Sequence, residues 1–369
     1  MTSRSLADTP PDARAGRASP RHKGGRRPAV RWILQGLLFV ALAVGIFDLL
    51  PRLGGLTHEA AGLRHARPAF LIAAIVAQAA SLACYALLYR QVLAALGARV
   101  RFRLTADVTL ASFFVSHLTP FGSATGTVVN VSTLEAEGVD AATTGEAIGL
   151  TSLLSTVALI ALFGIGFVAT AGQHVSHTYL TLAGIAFFLV AAVLGAVLGL
   201  GAHPEIAGRA GHWAASVARH VKPDIDPEKV AETSSRLASL ARSALTGRAF
   251  LASAAFASAD LLLDLFSLDL VFLALRYQPG FGPLAVAYAA ANIASAIPLT
   301  PGGLGVVEVT MVAVTVSFGA PRPTAVLAVL GYRIVNYWLP LVPGGIAYLR
   351  LRLQRRTGHD QPQRAAQSL

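Results

Sequence analysis

The sequence predicts an all-α polytopic membrane protein, with about six full spans and two re-entrant helical hairpins that form an inverted repeat. Three observations carry that expectation. Of 369 residues, 54% are hydrophobic and 13% charged, against a charged share of about 25% in soluble domains. Six stretches stay apolar over the roughly 20 residues a helix needs to cross a hydrocarbon core of about 30 Å. Two further apolar regions are each interrupted by the same Leu-Thr-Pro-x-Gly sequence.

In chain order, residues 1–31 form a basic tail rich in Pro, Gly and Arg, too poor in apolar side chains to build a core and expected to be disordered. The small-residue pattern Ala41-Leu42-Ala43 lies inside the next apolar run rather than after it, so that run reads as a retained span, not a cleaved signal. The full spans are 32–50, 69–89, 143–170, 178–200, 249–274 and 324–349. The interrupted regions are 104–138 and 284–319. Each of their pieces is only about 14–16 residues long, short for a span and suited to a hairpin that enters and leaves on one side. The segment 201–247 is the one sizeable connection, and Pro227 to Leu245 is expected to lie as a basic helix on the inner leaflet. A second basic tail, 350–369, follows the transmembrane domain 32–349. Trp32 and Trp338 fall near span ends as interfacial aromatics.

The net charge of +11 would suggest nucleic acid in a soluble protein. Here the basic residues flank apolar spans, where they orient the chain and meet lipid headgroups. With the amino terminus inside, 24 Lys and Arg fall on the inner side and five (Arg52, Arg64, Arg67, Arg276, Arg322) on the outer side, with Arg333 inside a span. Both termini are therefore expected in the cytoplasm, with the protein in the plasma (inner) membrane. Cys84 stands alone and has no partner for an internal disulfide. No Cys/His cluster has metal-ligand spacing, and neither a metal nor another cofactor is expected.

The two interrupted regions repeat. Displaced by 181 residues, 118–147 matches 299–328 at nine positions without a gap, including Leu118-Thr119-Pro120-x-Gly122 on Leu299-Thr300-Pro301-x-Gly303. By the charge count the first hairpin opens to the cytoplasm and the second to the outside, an opposed pair of the kind that meets at a substrate site in transporters. Proline stops each helix and glycine permits the turn. New helices start around Ser123 and Leu304, where unpaired amides and a positive dipole end suit an anion such as phosphate. Candidate substrate-binding residues are thus Thr119, Pro120, Gly122, Ser123, Thr125 and Thr127 at the first break. At the second they are Thr300, Pro301, Gly302, Gly303 and Gly305.

Ionisable residues at membrane depth face protein or water. Glu308 lies one turn beyond the second break, and Arg333 lies in the last span with Tyr332, Asn336 and Tyr337. Arg333 suits a phosphate held by its planar fork, or neutralisation of Glu308 or an aspartate. Asp260 and Asp264 are four apart and share a helix face, with Asp269 beyond them; they suit pairing with Arg333, a wet cavity or proton coupling. His117, just before the first break, is a further coupling candidate. Glu135, Glu137 and Asp140 fall at the hairpin's cytoplasmic exit and read as solvated.

The run Ile297-Pro298-Leu299-Thr300-Pro301-Gly302-Gly303-Leu304-Gly305-Val306-Val307-Glu308, with Gly319, Tyr332-Arg333, Leu339-Pro340 and Gly344-Gly345 downstream, resembles the flippase-like transmembrane family. That family is the membrane region of lysylphosphatidylglycerol synthases, found also in stand-alone form. The resemblance covers about residues 30–350. It implies a multi-pass plasma-membrane protein that moves a lipid between leaflets, with aminoacylated phosphatidylglycerol or polyprenyl-linked sugars among family substrates. The synthases carry an aminoacyl-transferase domain after the membrane region, whereas this chain runs about 20 residues past its last span and is not expected to synthesise lysyl lipid. Gly126 is followed by Thr127 and Asn130, and 146–157 offers only Glu146, in place of the family's charged first-repeat pattern.

The leading expectation is translocation of an anionic, phosphate-bearing lipid, phospholipid or polyprenyl-linked, by a transporter rather than an enzyme. Its partners would be membrane lipids through their headgroups, with a homo-oligomer or a lipid-modifying enzyme as further partners and no nucleic acid. One alternative is a membrane transferase acting on a polyprenyl phosphate or phospholipid, with Asp224-Ile225-Asp226 holding a divalent ion. The other is a non-catalytic partner of a lipid-modifying enzyme.

Overall fold

The computed structural model describes residues 66–119, 122–170, 204–219, 226–232, 234–235, 248–296 and 300–366, with isolated helical positions at 184, 188 and 195. The tail 1–31, the spans 32–50 and 178–200 (those positions apart) and Asp224 lie outside them. The elements formed by the described residues are all helices, without a strand among them. The helices are α1 (Pro68–Ala95), α2 (Phe102–Leu118), α3 (Gly122–Glu135), α4 (Ala141–Ala169), α5 (Pro204–Ala218), α6 (Arg248–Ala274) and α7 (Phe281–Ser295). After a 3₁₀ turn, Pro301–Gly303, come α8 (Val306–Ser317) and α9 (Arg322–Arg333), then a π-helical turn, Ile334–Trp338, and α10 (Leu339–Ala366).

Among the described residues three helices are long and apolar enough to cross a bilayer: α1, α4 and the continuous helix Arg322–Gln354 that contains α9, the π turn and the start of α10. Helix α6 has comparable length, 27 residues, but carries Asp260, Asp264 and Asp269. Large apolar side chains point outward along these helices, among them Ile72, Val76, Val168, Leu251, Val342 and Leu353, while Gln78, Ser81, Thr105, Glu308 and Arg333 are buried. This reverses the arrangement of a soluble domain, and the protein is a membrane protein built on apolar helices.

Small residues set the packing, as expected where lipid supplies no hydrophobic drive between helices. Helices α1 and α6 run antiparallel in register: the Arg67 amide donates to Ala274 O at 3.0 Å, Ser267 Oγ to Ala74 O at 3.0 Å, and Ser81 Oγ to Asp260 Oδ1 at 2.6 Å. Gly166 of α4 lies against Ala285 of α7, and Gly282 of α7 lies against Ala169 and Thr170. Helices α2 and α3 pack on each other, as do α7 and α8. The last long helix divides its contacts. Its first half, α9, packs on α6 and α8, while α10 packs on α2, where Arg350 reaches Asp107 at 3.1 Å.

Four expectations are refined. Helix α1 runs well beyond 69–89, to Ala95, and ends in a Gly97 turn with φ 90°. Helix α8 starts at Val306 rather than Leu304, because Gly302, Gly303 and Gly305 all have positive φ and delay the helix. In the 201–247 connection α5 is an additional helix; of the expected one, 227–232 and 234–235 are helical and the rest lies outside the described residues, and Gly208 and Gly211 of α5 sit against Ser235 and Ser234. Asp140, read as merely solvated, is the N-cap of α4. The Thr143 hydroxyl and backbone amide both donate to it and hold its carboxyl below the ordinary range.

Candidate functional site

The two breaks are built differently around similar sequences. At the first, the Thr119 hydroxyl lies 2.9 Å from Val115 O and 2.6 Å from Thr125 Oγ1, so it ties the end of α2 to the first turn of α3. Only three residues separate the two helices. Gly126 permits this close return: a Cβ there would overlap Ser116 Oγ and lie 3.0 Å from Ser112 O. At the second break the Thr300 hydroxyl donates to Leu304 O at 2.7 Å, closing the glycine turn on itself.

The start of α8 is not open. The Gly305 amide donates to Glu308 Oε2 at 2.6 Å, and Arg333 Nε donates to Glu308 Oε1 at 2.6 Å. Both side chains of this ion pair are almost fully buried, at 2% and 6% exposed. Arg333 Nη2 also donates to Gly302 O at 3.1 Å. The protein's own carboxylate therefore fills the place where the sequence suggested an incoming anion, through the same amide and dipole attraction. This also settles the partner of Arg333: it is Glu308, not Asp260 or Asp264.

The π turn joins the two breaks. Its Tyr337 hydroxyl donates to His117 O at 3.1 Å, and its ring lies edge-on to the His117 ring at 4.9 Å. The Arg333 guanidinium stands 4.4 Å over the same ring, and a Cβ at Gly302 would collide with it. His117 stacks on Phe113 at 3.8 Å, its Nδ1 2.8 Å from Phe113 O.

Beside this junction opens a cavity of about 470 Å³. Its wall takes residues from α1, α2, α3, α4, α6, α7, α8, α9 and the π turn. The polar part includes Gln78, Ser81, Tyr85, Tyr89, Thr109, Ser112, Ser116, Thr127 and Asn130, with Leu82, Phe113, Ile148, Val307 and Met311 as apolar wall. Thr109 Oγ1 and Ser112 Oγ are buried with no hydrogen-bond partner, a pattern that calls for water or a polar ligand. Asp264 accepts at 2.8 Å from each of the Tyr288 and Tyr332 hydroxyls and the Asn336 amide, and the Gln78 side chain also bonds to it. Among the described residues neither Asp260 nor Asp264 has a cationic partner.

Of the residues singled out from sequence, His117, Thr127, Asp260, Asp264, Gly302, Arg333 and Asn336 line the cavity. Thr119, Thr125, Thr300, Gly303, Gly305 and Glu308 hold the breaks together behind the wall. Gly122 opens α3 and Ser123 stands in its first turn, Pro301 opens the 3₁₀ turn, and Pro120 lies outside the described residues. Sequence reasoning passed over the α1 wall. Gln78, Ser81, Tyr85 and Tyr89 fall at intervals of three and four, one helix face, and that polar stripe in an apolar span was the available signal. Among the described residues no group of three or more His, Cys, Asp or Glu is placed to hold a metal ion.

Comparison with known proteins agrees with this architecture. The family model described as lysylphosphatidylglycerol synthase TM region matches residues 32–344. A UPF0104 membrane protein of Methanothermobacter thermautotrophicus (strain Delta H) is 32% identical over 85 residues, 23% of this chain and 25% of that relative, so the match spans a quarter of the relative's length. With 32–344 matched, the chain belongs to the lysylphosphatidylglycerol synthase transmembrane-region family.

Proposed function

We propose that this protein moves a phosphate-bearing anionic lipid between the leaflets of the plasma membrane, with both termini in the cytoplasm. The observation that carries the reading is the cavity beside both helix breaks, with buried hydroxyls that no protein group satisfies. Helices α2, α3, α7 and α8 have 17, 14, 15 and 12 residues. At 1.5 Å per residue they are roughly 18–26 Å long, shorter than a hydrocarbon core of about 30 Å. This supports two re-entrant hairpins of opposite orientation, an inverted repeat with its breaks near the midplane. A headgroup entering the cavity would meet the Thr109 and Ser112 hydroxyls and the outer edge of Arg333, whose Nε and Nη2 are engaged by Glu308 and Gly302 O. Its acyl chains would remain in lipid. The transferase reading draws no support from Asp226, which accepts from the Glu228 amide and pairs with Lys229 at 3.7 Å as a helix cap.

The test is reconstitution into liposomes carrying traces of fluorescent phospholipid or a short polyprenyl phosphate, read by a membrane-impermeant quencher. Wild-type protein should expose inner-leaflet probe to the quencher. Thr127→Trp, which fills the cavity from its wall, should stop that exposure while the melting temperature stays unchanged. Folded wild-type protein that exchanges no phosphate lipid would remove the translocation reading.

A further inference from the structure

Two carboxylates on one face of α6 are the charges in the cavity that the site described so far leaves unused. Asp264 is satisfied by the Tyr288 and Tyr332 hydroxyls and the Asn336 and Gln78 side chains, and Asp260 by one donor, Ser81. Among the described residues neither has a counter-ion, and they stand one helical turn apart. Two ionised carboxylates this close, at membrane depth and without a cation, are costly for each other and for the fold. A second observation lies opposite them on α1. Gln78 is 4% exposed, lines the cavity facing Asp264, and its carbonyl Oε1 accepts from no donor. The Gln78 side chain bonds to Asp264, while its carbonyl, in the wall of the same cavity, is left as an acceptor without a donor.

We infer that Asp260, Asp264 and Gln78 form a binding site for one exchangeable proton. Asp264, with four side chains hydrogen-bonded to it, is the ionised partner. Asp260, with one, takes the proton, and the new O–H is a donor in a cavity whose wall holds the unsatisfied Gln78 Oε1. A proton fits this site better than a sodium ion, because the neighbouring hydroxyls and the amide already turn their hydrogens toward the carboxylates. The titratable and charged groups facing the pair are Cys84 and Tyr85 from α1, Tyr288 from α7, and Tyr332 and Arg333 from α9. Arg333 is committed to Glu308 on α8, and α4 gives the cavity wall only Ile148. The site shares its cavity with the proposed lipid site, so on the translocation reading a proton and a headgroup cross together.

Two measurements separate the site from that reading. Infrared difference spectra of the full chain in lipid nanodiscs, taken across a pH jump, should show a protonated-carboxyl band that titrates. Asp260→Asn should remove it, and Gln78→Leu should shift its frequency by deleting the acceptor. A titrating band that survives Asp260→Asn, or no titrating band, overturns the proton site. In liposomes, a one-unit pH gradient with one proton carried per lipid should drive about a tenfold leaflet asymmetry of the probe, and Asp260→Asn should bring it to about one. Asymmetry that follows a sodium gradient at equal pH overturns the assignment to a proton. Absence of all probe exchange alongside an intact titrating band rejects translocation but not the site.

Discussion

Glu308 and Arg333 carry opposite charges through a region that lipid surrounds, and at the residue scale their value lies in never being separated. With both side chains almost fully buried, removing one leaves the other charge uncompensated, which costs about 3–5 kcal/mol in buried pairs. Glu308→Gln and Arg333→Met should each lower stability by roughly that amount, measured by denaturant unfolding in mixed micelles. The double replacement by apolar residues, Glu308→Leu with Arg333→Met, should recover most of the loss, since an apolar pair of similar volume is often neutral. Single variants as stable as wild type would show that water reaches the pair. The proposed headgroup contact follows from the same geometry: Arg333 offers a phosphate only the edge that Glu308 and Gly302 leave uncovered.

Elements in this protein meet through glycine, and α10 on α2 is the clearest instance. A Cβ on Gly344 would stand 2.6 Å from Leu110 O and 2.9 Å from Phe114 Cβ; the first of these is backbone and does not yield. Gly344→Ala should therefore push α10 off α2 and cost about 1–3 kcal/mol, the range for overpacking a tight contact, read as a lower midpoint in thermal unfolding. Gly345, facing the Phe114 ring edge at 3.2 Å, should tolerate alanine better because a ring can shift. The element scale is also where the sequence was most legible. Spans 143–170, 249–274 and 324–349 coincide with α4, α6 and the start of the last helix to within two residues, because apolar length and a charged flank decide them locally. Both breaks were legible in Thr-Pro-x-Gly for the same reason. The π turn was not, since Ile334–Trp338 reads as ordinary helix and takes its extra residue to place Tyr337 between the two breaks. The capping of α8 by its own Glu308 was equally hidden: side-chain types give the donors and acceptors, not which of them meet.

Across the whole molecule, the proposed opposed orientation of the α2–α3 and α7–α8 pairs rests on the distribution of basic residues. Glu137, past the end of α3, and Gln278, before α7, are both exposed and should lie on opposite sides of the membrane. In a Cys84→Ser background, Glu137→Cys should react with an impermeant maleimide only from the cytoplasmic side, and Gln278→Cys only from the outside. Labelling of both from one side would remove the opposed repeat and with it the strongest topological support for transport. The cavity wall itself was half legible, through His117, Asp260, Asp264, Arg333 and Asn336. The rest escaped because Gln78, Ser81, Tyr85 and Tyr89 are ordinary in type and significant only through their common face.

The divided last helix has a mechanical consequence. Its first half is fastened to α6 and α8, its second half to α2, and between them lies a five-residue stretch in the wider π geometry. If either hairpin group turns relative to the other, the torque passes along this single rod, and the wider turn is the weakest section of it. Arg333, Asn336 and Tyr337 stand at that section, each in contact with a different part of the cavity wall. Strain delivered there would reach the bonds to Gly302, Asp264 and His117 together, so the shaft that ties the two halves to each other also ties their movement to the cavity wall.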